Sequence, residues 1–492
     1  MAGHERTTVG GLPTPTAGGS RVSATLTWLV WVLLIASLAV LAARLLRGGP
    51  WEVAGLIVID GLTVVMWVTV TLFSGIVHSY SRRYMAGNRA IDRFFARVFG
   101  FTLVVMVLVA ADNVVLFGAA WVAMGLLMAD LIGHRRGWPQ ARAAASLARR
   151  YFLAGSGLLG VALAALWWHA GTTTVSGLAS NVGGSSPPVL FAAGALLLAA
   201  MVQSALVPFH TWLLSSMTAP TPASALMHAG FVNAGGILLV RFAPVVTVDP
   251  GFMLVVVLVG AASALLGKIL KSVQTDVKSK LGCSTVGQMG FMIMQAGLGF
   301  FAAAITHLIL HGFYKAYRFL ASGSAVAHEH PAETKPPGSA GFLGAAVIVI
   351  TALAGGALFV ALTGKTGGSN AGLLLTLLVV LTVLHAAREV VPGAALPAAV
   401  RYGAVPLVAL PAIAVYAAVY GAIEALLPGY AVGQAADLTV VHGVVAAAFL
   451  LSYLAIETGV YERSERLYVG LLNASHPPPE THLTATEEYN EH

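Results

Sequence analysis

The 492-residue chain is 58% hydrophobic and only 10% charged, with a formal net charge of +7 and a mean hydropathy of +0.83. A soluble chain carries roughly 25% charged residues, so an ordinary water-soluble globule is excluded. The basic residues fall between long apolar runs, which is a pattern of membrane topology; lipid is the expected neighbour and nucleic acid is not an expected partner. The single cysteine, Cys283, excludes an internal disulfide framework and a cysteine-based metal cluster supplied by this chain alone.

In chain order, about fourteen apolar runs are each long enough to cross about 30 Å of hydrocarbon. They cover 25–46, 51–79, 97–111, 113–133, 148–168, 188–217, 222–245, 251–271, 281–299, 301–325, 341–365, 370–390, 402–427 and 437–460. Backbone groups in lipid must be satisfied internally, so these runs are predicted to be helices. The expectation is an all-α polytopic membrane protein, with one bundle over 25–460 and an N-terminal tail over 1–24. The tail over 461–492 is expected to be mostly disordered, being proline-rich, acidic and polar from Asn473 onwards. No cleavable signal peptide is expected, because the run Thr25 to Leu46 exceeds an h-region of about 7–15 residues.

Arginine and lysine concentrate in every second loop. Arg82, Arg83, Arg89, Arg93 and Arg97 follow the second run, and Arg135, Arg136, Arg142, Arg149 and Arg150 follow the fourth. Lys271, Lys278 and Lys280, then Lys335, Arg401, Arg463 and Arg466, continue the alternation. The positive-inside rule places both termini in the cytoplasm of an inner-membrane protein. Two runs read as broken helices. In the sixth, Pro208 removes a donor and frees an upstream carbonyl; in the eleventh, Ala354-Gly355-Gly356 precedes Lys365 and a Gly-Gly pair at 367–368. Paired interruptions of this kind point to inverted repeats around a midplane pathway.

Ionisable residues inside spans cost several kcal/mol and raise a functional hypothesis by default. His307, His311 and Lys315 stand at i, i+4 and i+8, roughly one helical face and a plausible line for proton transfer. The alternative is three satisfied polar groups packing neighbouring helices. A zinc site from the two histidines lacks two ligands. His228 stands just after the first broken helix and either joins that line or packs with one hydrogen bond. Lys268 and Lys271 read as snorkelling side chains. Asp130 reads as a partner of Arg135 or Arg136, while Asp60, Glu424 and Glu457 are embedded acids with no partner legible in the sequence. His328-Glu329-His330 reads as a solvated loop. No P-loop, dinucleotide fingerprint or nucleophile elbow is present, so ion movement is expected rather than catalytic chemistry or a cofactor in this chain.

Several ordered blocks carry a resemblance. They are Asp60-Gly-Leu-Thr, His78-Ser-Tyr-Ser, Ala111-Asp-Asn113 with Trp121, Val207-Pro-Phe-His-Thr-Trp-Leu213, Ala219 to Ala229, Gln274-Thr-Asp276-Val-Lys278, Ser284-Thr285, Gln288-Met-Gly-Phe291, and His307 through Lys315. Over about 55–390 the chain resembles the antiporter-like subunits of complex I and Mrp systems. That resemblance places His228, His307, His311 and Lys315 on a central polar axis and Lys365 on the lysine of the second broken helix. Asp60, Asp130, Gln203, Asp276, Lys278 and Gln288 are candidate supporting polar groups. It also shows two departures: Val122 stands where the family has its essential glutamate, and Gln203 replaces the lysine before the first break. A standard antiport cycle in the N-terminal half is then not expected.

The wording Ala223 to Gly236 and Leu281 to Phe291 resembles the DabB family of inorganic carbon transporter subunits. That family implies a large cytoplasmic zinc partner of the DabA type with a carbonic-anhydrase-like site, energised by a cation gradient, so zinc would belong to the partner and no metal to this chain. Two rival readings stay open: a cation/proton antiporter subunit of Mrp or complex I type, and a non-conducting membrane scaffold.

Overall fold

A computed structural model describes residues 20–325, 342–364, 371–390, 398–428, 437–460 and 463–481. Helix occupies each of the runs expected from hydropathy, and among the described residues ten helical stretches, Thr221–Arg241 taken as one, are long and apolar enough to cross a membrane. The chain opens with α1 (Arg21–Arg47), followed by a hairpin of β1 (Trp51–Val53) and β2 (Ile57–Ile59) with Trp51 opposite Ile59. Ala54 and Gly55 both have positive φ, and Leu56 N–H closes the turn onto Val53 O at 3.0 Å, a tight turn within the three-residue loop Ala54–Leu56 of the hairpin. The second expected run therefore starts ten residues late: α2 spans Gly61–Tyr84, capped by Asp60, whose carboxylate accepts from Thr63 N–H at 2.8 Å.

Next come α3 (Ile91–Ala110), α4 (Val114–Ile132), α5 (Pro139–Ala170) and the short α6 (Val175–Ser180). Asn113 caps α4. Asp112 accepts from the N–H and hydroxyl of Ser176 at 2.8 and 2.9 Å, tying the α3–α4 turn to α6. After α7 (Pro187–Gln203) the helix stops, and a 3-10 turn follows α8 (Thr211–Ser215). The interruption thus begins five residues before Pro208, which lies within it after a cis Val207-Pro208 peptide. A second break, absent from the sequence reading, separates α9 (Thr221–Ala229) from α10 (Ala234–Arg241) by a 3-10 turn over Phe231–Asn233. The short α11 (Ala243–Val246) follows.

α12 (Pro250–Ser272) and α13 (Val277–Gly297) cross closely. A Cβ on Gly267 would meet Gly287 N at 2.3 Å, and one on Gly290 would meet Ala264 N at 2.5 Å. Small residues here let two backbones approach, the usual device where helices gain no hydrophobic drive from lipid. α14 (Phe301–Ala325) packs on α13 and α9. α15 (Phe342–Thr363) runs unbroken through Ala354-Gly355-Gly356, so the expected interruption is not at those residues. Lys365 and the Gly-Gly pair at 367–368 lie outside the described residues. α16 (Gly372–Val390), α17 (Ala398–Leu426) and α18 (Val440–Glu457) complete the bundle, and α17 keeps its helix across Pro406 and Pro411.

Within the tail expected to be mostly disordered, residues 463–481 include helix. α19 (Glu465–Ser475) and a 3-10 turn over Pro479–Thr481 dock on the bundle. Gln274 Nε2 donates to Ser475 Oγ at 2.7 Å, His210 Nε2 lies 3.2 Å from Ala474 O, and Leu471 packs on Leu214, Leu270 and Cys283. An amphipathic face supplied the burial that composition alone had hidden.

Candidate functional site: a buried histidine and lysine line

Lys315 is fully buried on α14, and its Nζ donates to Leu281 O at 2.8 Å. Among the described residues no ion pair holds it. The same carbonyl accepts from the Thr285 hydroxyl one turn along α13, also at 2.8 Å. Two donors therefore converge on one oxygen, within about 6 Å of each other. Having spent its proton on Leu281, the Thr285 hydroxyl offers a lone pair to His228, whose Nδ1 lies 2.9 Å away. This assigns the proton of His228 to Nδ1 and leaves Nε2 as an acceptor. The ring stacks on Phe319 with centroids 4.3 Å apart, and Nε2 is buried without a bond to another protein group.

His311 and His307 continue from Lys315 along α14, each about 6 Å further by helical rise. Their rings are near parallel, 13° apart with centroids separated by 5.8 Å. Both nitrogens of His311 and Nε2 of His307 are enclosed and make no bond to another protein group. His307, His311 and Lys315 follow one another along α14, as their i, i+4, i+8 spacing anticipated, and His228 of α9 is linked to Lys315 through Thr285 and Leu281 O of α13. What the spacing could not supply is Thr285, the hydroxyl that links His228 to the Leu281 carbonyl from a third helix.

The two broken helices meet beside this line. Gln203 Nε2 donates to Phe231 O at 3.2 Å, and Ser204 Oγ donates to Val232 O at 2.7 Å. Trp212 Nε1 satisfies Val202 O at 2.9 Å, and Asn233 Nδ2 satisfies Ala229 O at 2.7 Å. Four carbonyls at the breaks have thereby found side-chain donors, as apolar surroundings require. Gln203 is a structural tie between the breaks. Beside them, a largely apolar cavity between α2, α3, α4 and α10 has about 40 Å³ of room for water centres and is lined by Trp121, Asn233 and Arg241. Val122 adjoins this region.

The remaining supporting residues lie elsewhere. Asp60 is not a lone acid: it pairs with Arg241 of α10, whose guanidinium also reaches Val109 O. Asp130 pairs with Arg97 at 3.1 Å and Arg149 at 3.0 Å, not with Arg135 or Arg136, because α3 and α5 flank α4. Asp276 caps α13 through Ser279 N–H at 2.8 Å. Lys278 Nζ donates to Met217 O and Ala219 O at 3.2 and 3.3 Å, holding the segment that leads into α9. Gln288 is exposed on the outer side of α13 and does not join the line. Glu424 accepts from Tyr420 at 2.8 Å, and Glu457 faces His385 at 3.5 Å. Lys268 does not snorkel alone; its ammonium meets His385 Nε2. His134, at the arginine-rich face, is held down to about 4 by burial and then by Arg97, Arg93, Arg135 and Arg136. Among the described residues no group of three or more His, Cys, Asp or Glu side chains could hold a metal. His328, Glu329 and His330 lie outside the described residues.

Residues 111–335 match the family described as NADH:quinone oxidoreductase/Mrp antiporter, transmembrane, and residues 49–95 match the complex I chain 5 N-terminus. Among curated relatives, a probable inorganic carbon transporter subunit DabB1 of Halothiobacillus neapolitanus is 40% identical over 285 residues, 56% of this chain and 50% of the relative. A probable subunit DabB of Bacillus subtilis is 37% identical over 304 residues, 60% and 58% of the two chains. NADH-quinone oxidoreductase subunit L of Mycobacterium tuberculosis is 38% identical over 279 residues, 55% and 44%. The chain spans about half the length of these relatives. A solved structure of the Mrp complex of a Dietzia species shares the fold at a TM-score of 0.56 and 23% identity, over 96% of this chain and 51% of that one. The chain is a multi-pass membrane protein that is similar, over residues 49–95 and 111–335, to complex I and Mrp antiporter subunits, and inorganic carbon transporter subunits DabB are among its relatives.

Proposed function

We propose that this chain is the membrane subunit of an inorganic carbon accumulating complex, conducting protons to energise a cytoplasmic zinc partner of carbonic-anhydrase type. The observation that carries the reading is the Lys315 ammonium held on Leu281 O instead of on a carboxylate. An ammonium without a counter-ion in a dry site is costly to keep charged, so Lys315 gives up and regains its proton readily. His311 and His307 on one side, and Thr285 with His228 on the other, are the groups that exchange it. Lys365 is proposed as an exit-side group of the same path. Moving one charge through 100 mV releases about 2.3 kcal/mol, nearly fifty-fold in an equilibrium, enough to drive a hydration step in one direction. Both termini are proposed to face the cytoplasm of an inner membrane.

The antiporter reading keeps support from the similarity to subunit L. Against it stand Val122, which cannot carry charge, and Gln203, whose amide is committed to Phe231 O. Purification of the tagged protein in mild detergent, with mass and zinc analysis of what accompanies it, separates the two. A large soluble zinc protein in stable complex is expected; respiratory or Mrp subunits in its place would overturn the proposal.

A further inference from the structure

Apart from the α14 line, three titratable side chains from three helices stand together, two of them, His385 and Glu457, beyond the residues matched to the family. Lys268 is four residues from the end of α12, His385 is in the last turns of α16, and Glu457 is the last residue of α18. The Lys268 ammonium meets His385 Nε2, and His385 Nδ1 lies 3.5 Å from Glu457 Oε1. Positions 117 and 72 residues apart in sequence are thereby joined through one imidazole. The group lies at the arginine-rich end of the bundle, where the alternation of helices also puts Lys278. It is partly open, with the His385 and Glu457 side chains 26% and 16% exposed.

An imidazole gripped at both nitrogens by an acid and an amine is a bidirectional proton conductor. A proton from the Glu457 carboxyl bonds to Nδ1 while the N–H at Nε2 breaks and its proton goes to the amine of Lys268; the reverse restores the start. Neither oxidant nor further reactant is needed, and one proton enters for each that leaves. Placement supports a terminal position in a path. All three side chains stand near the ends of their helices, and His385 and Glu457 are partly exposed. On the reading that the chain conducts protons, we infer that Lys268, His385 and Glu457 form the site where protons are exchanged with the arginine-rich face.

The test is proton flux in liposomes bearing the whole purified complex, with assembly checked by size. His385→Gln, which keeps hydrogen bonds but cannot pass a proton, and Glu457→Gln should each lower flux by about ten-fold or more. Added imidazole should restore His385→Gly, a rescue that a packing role would not give. If the His385 variants do not assemble, Glu457→Gln decides alone. Flux within about two-fold of wild type in the Gln variants, with Lys315→Ala still impaired, overturns this site and leaves the central line standing. Unimpaired flux in Lys315→Ala removes the conduction reading, and this inference with it.

Discussion

The region around the two helix breaks and the region around α14 handle polarity in opposite ways. At the breaks, Gln203, Ser204 and Trp212 are spent on the carbonyls of Phe231, Val232 and Val202. Around α14, Lys315 has one carbonyl partner, while His228, His307 and His311 each keep a ring nitrogen without a protein partner. A side chain bound to a backbone carbonyl holds a shape; a titratable group with spare hydrogen-bonding capacity can accept or release a proton. The difference teaches that Gln203 belongs to a frame that holds backbone carbonyls at the breaks, while the titratable groups of the line gather around α14.

The sharpest way to break this comparison is to return charge to the frame. Gln203→Lys buries an unpaired ammonium and should cost about 3–5 kcal/mol, read as a large fall in the melting temperature of the purified complex. Adding Val122→Glu should recover part of the loss; full stability of Gln203→Lys alone would show that the frame is not sealed. Arg241→Ala comes next. It removes the ion pair of Asp60 and leaves Val109 O with the Thr63 hydroxyl, with a loss of about 3 kcal/mol expected and little change in flux per assembled complex. Trp212→Phe, which keeps the ring but not the bond to Val202 O, should cost about 1–3 kcal/mol. A neutral result would mean the break is held by packing alone.

His134→Leu is the smallest effect and depends on pH. The folded value is held down to about 4 from an ordinary 6.5, so between those values the unfolded chain binds the extra proton and stability falls with acidification. Near pH 7.5 the substitution should change little. At pH 5 the variant should lose less melting temperature than wild type, and an equal loss would rule out His134 as the cause.

Much of the bundle was legible because hydropathy over a span is a strong local signal, and His307, His311 and Lys315 were legible because they share one helix and its period. Partners on other helices were not. Asp60 looked solitary because Arg241 is 181 residues away, and Lys268 looked like a snorkelling lysine because His385 is 117 residues on. The first break was displaced because Pro208 is its most visible residue, whereas the helix already ends at Gln203. The second was missed although Gly230 and Asn233 mark it. The continuous helix through Gly355 and Gly356 shows the converse: side chains packed from neighbouring helices override a weak local breaker. Gln288 carried the resemblance yet faces outward, so a motif position alone did not reveal which side of α13 it occupies.

The most direct test of the central claim is carbon accumulation by cells carrying Lys315→Ala, with complex assembly measured alongside. An assembled complex that no longer accumulates inorganic carbon is the expected result, and an assembled complex with unchanged uptake would contradict the role of the α14 line.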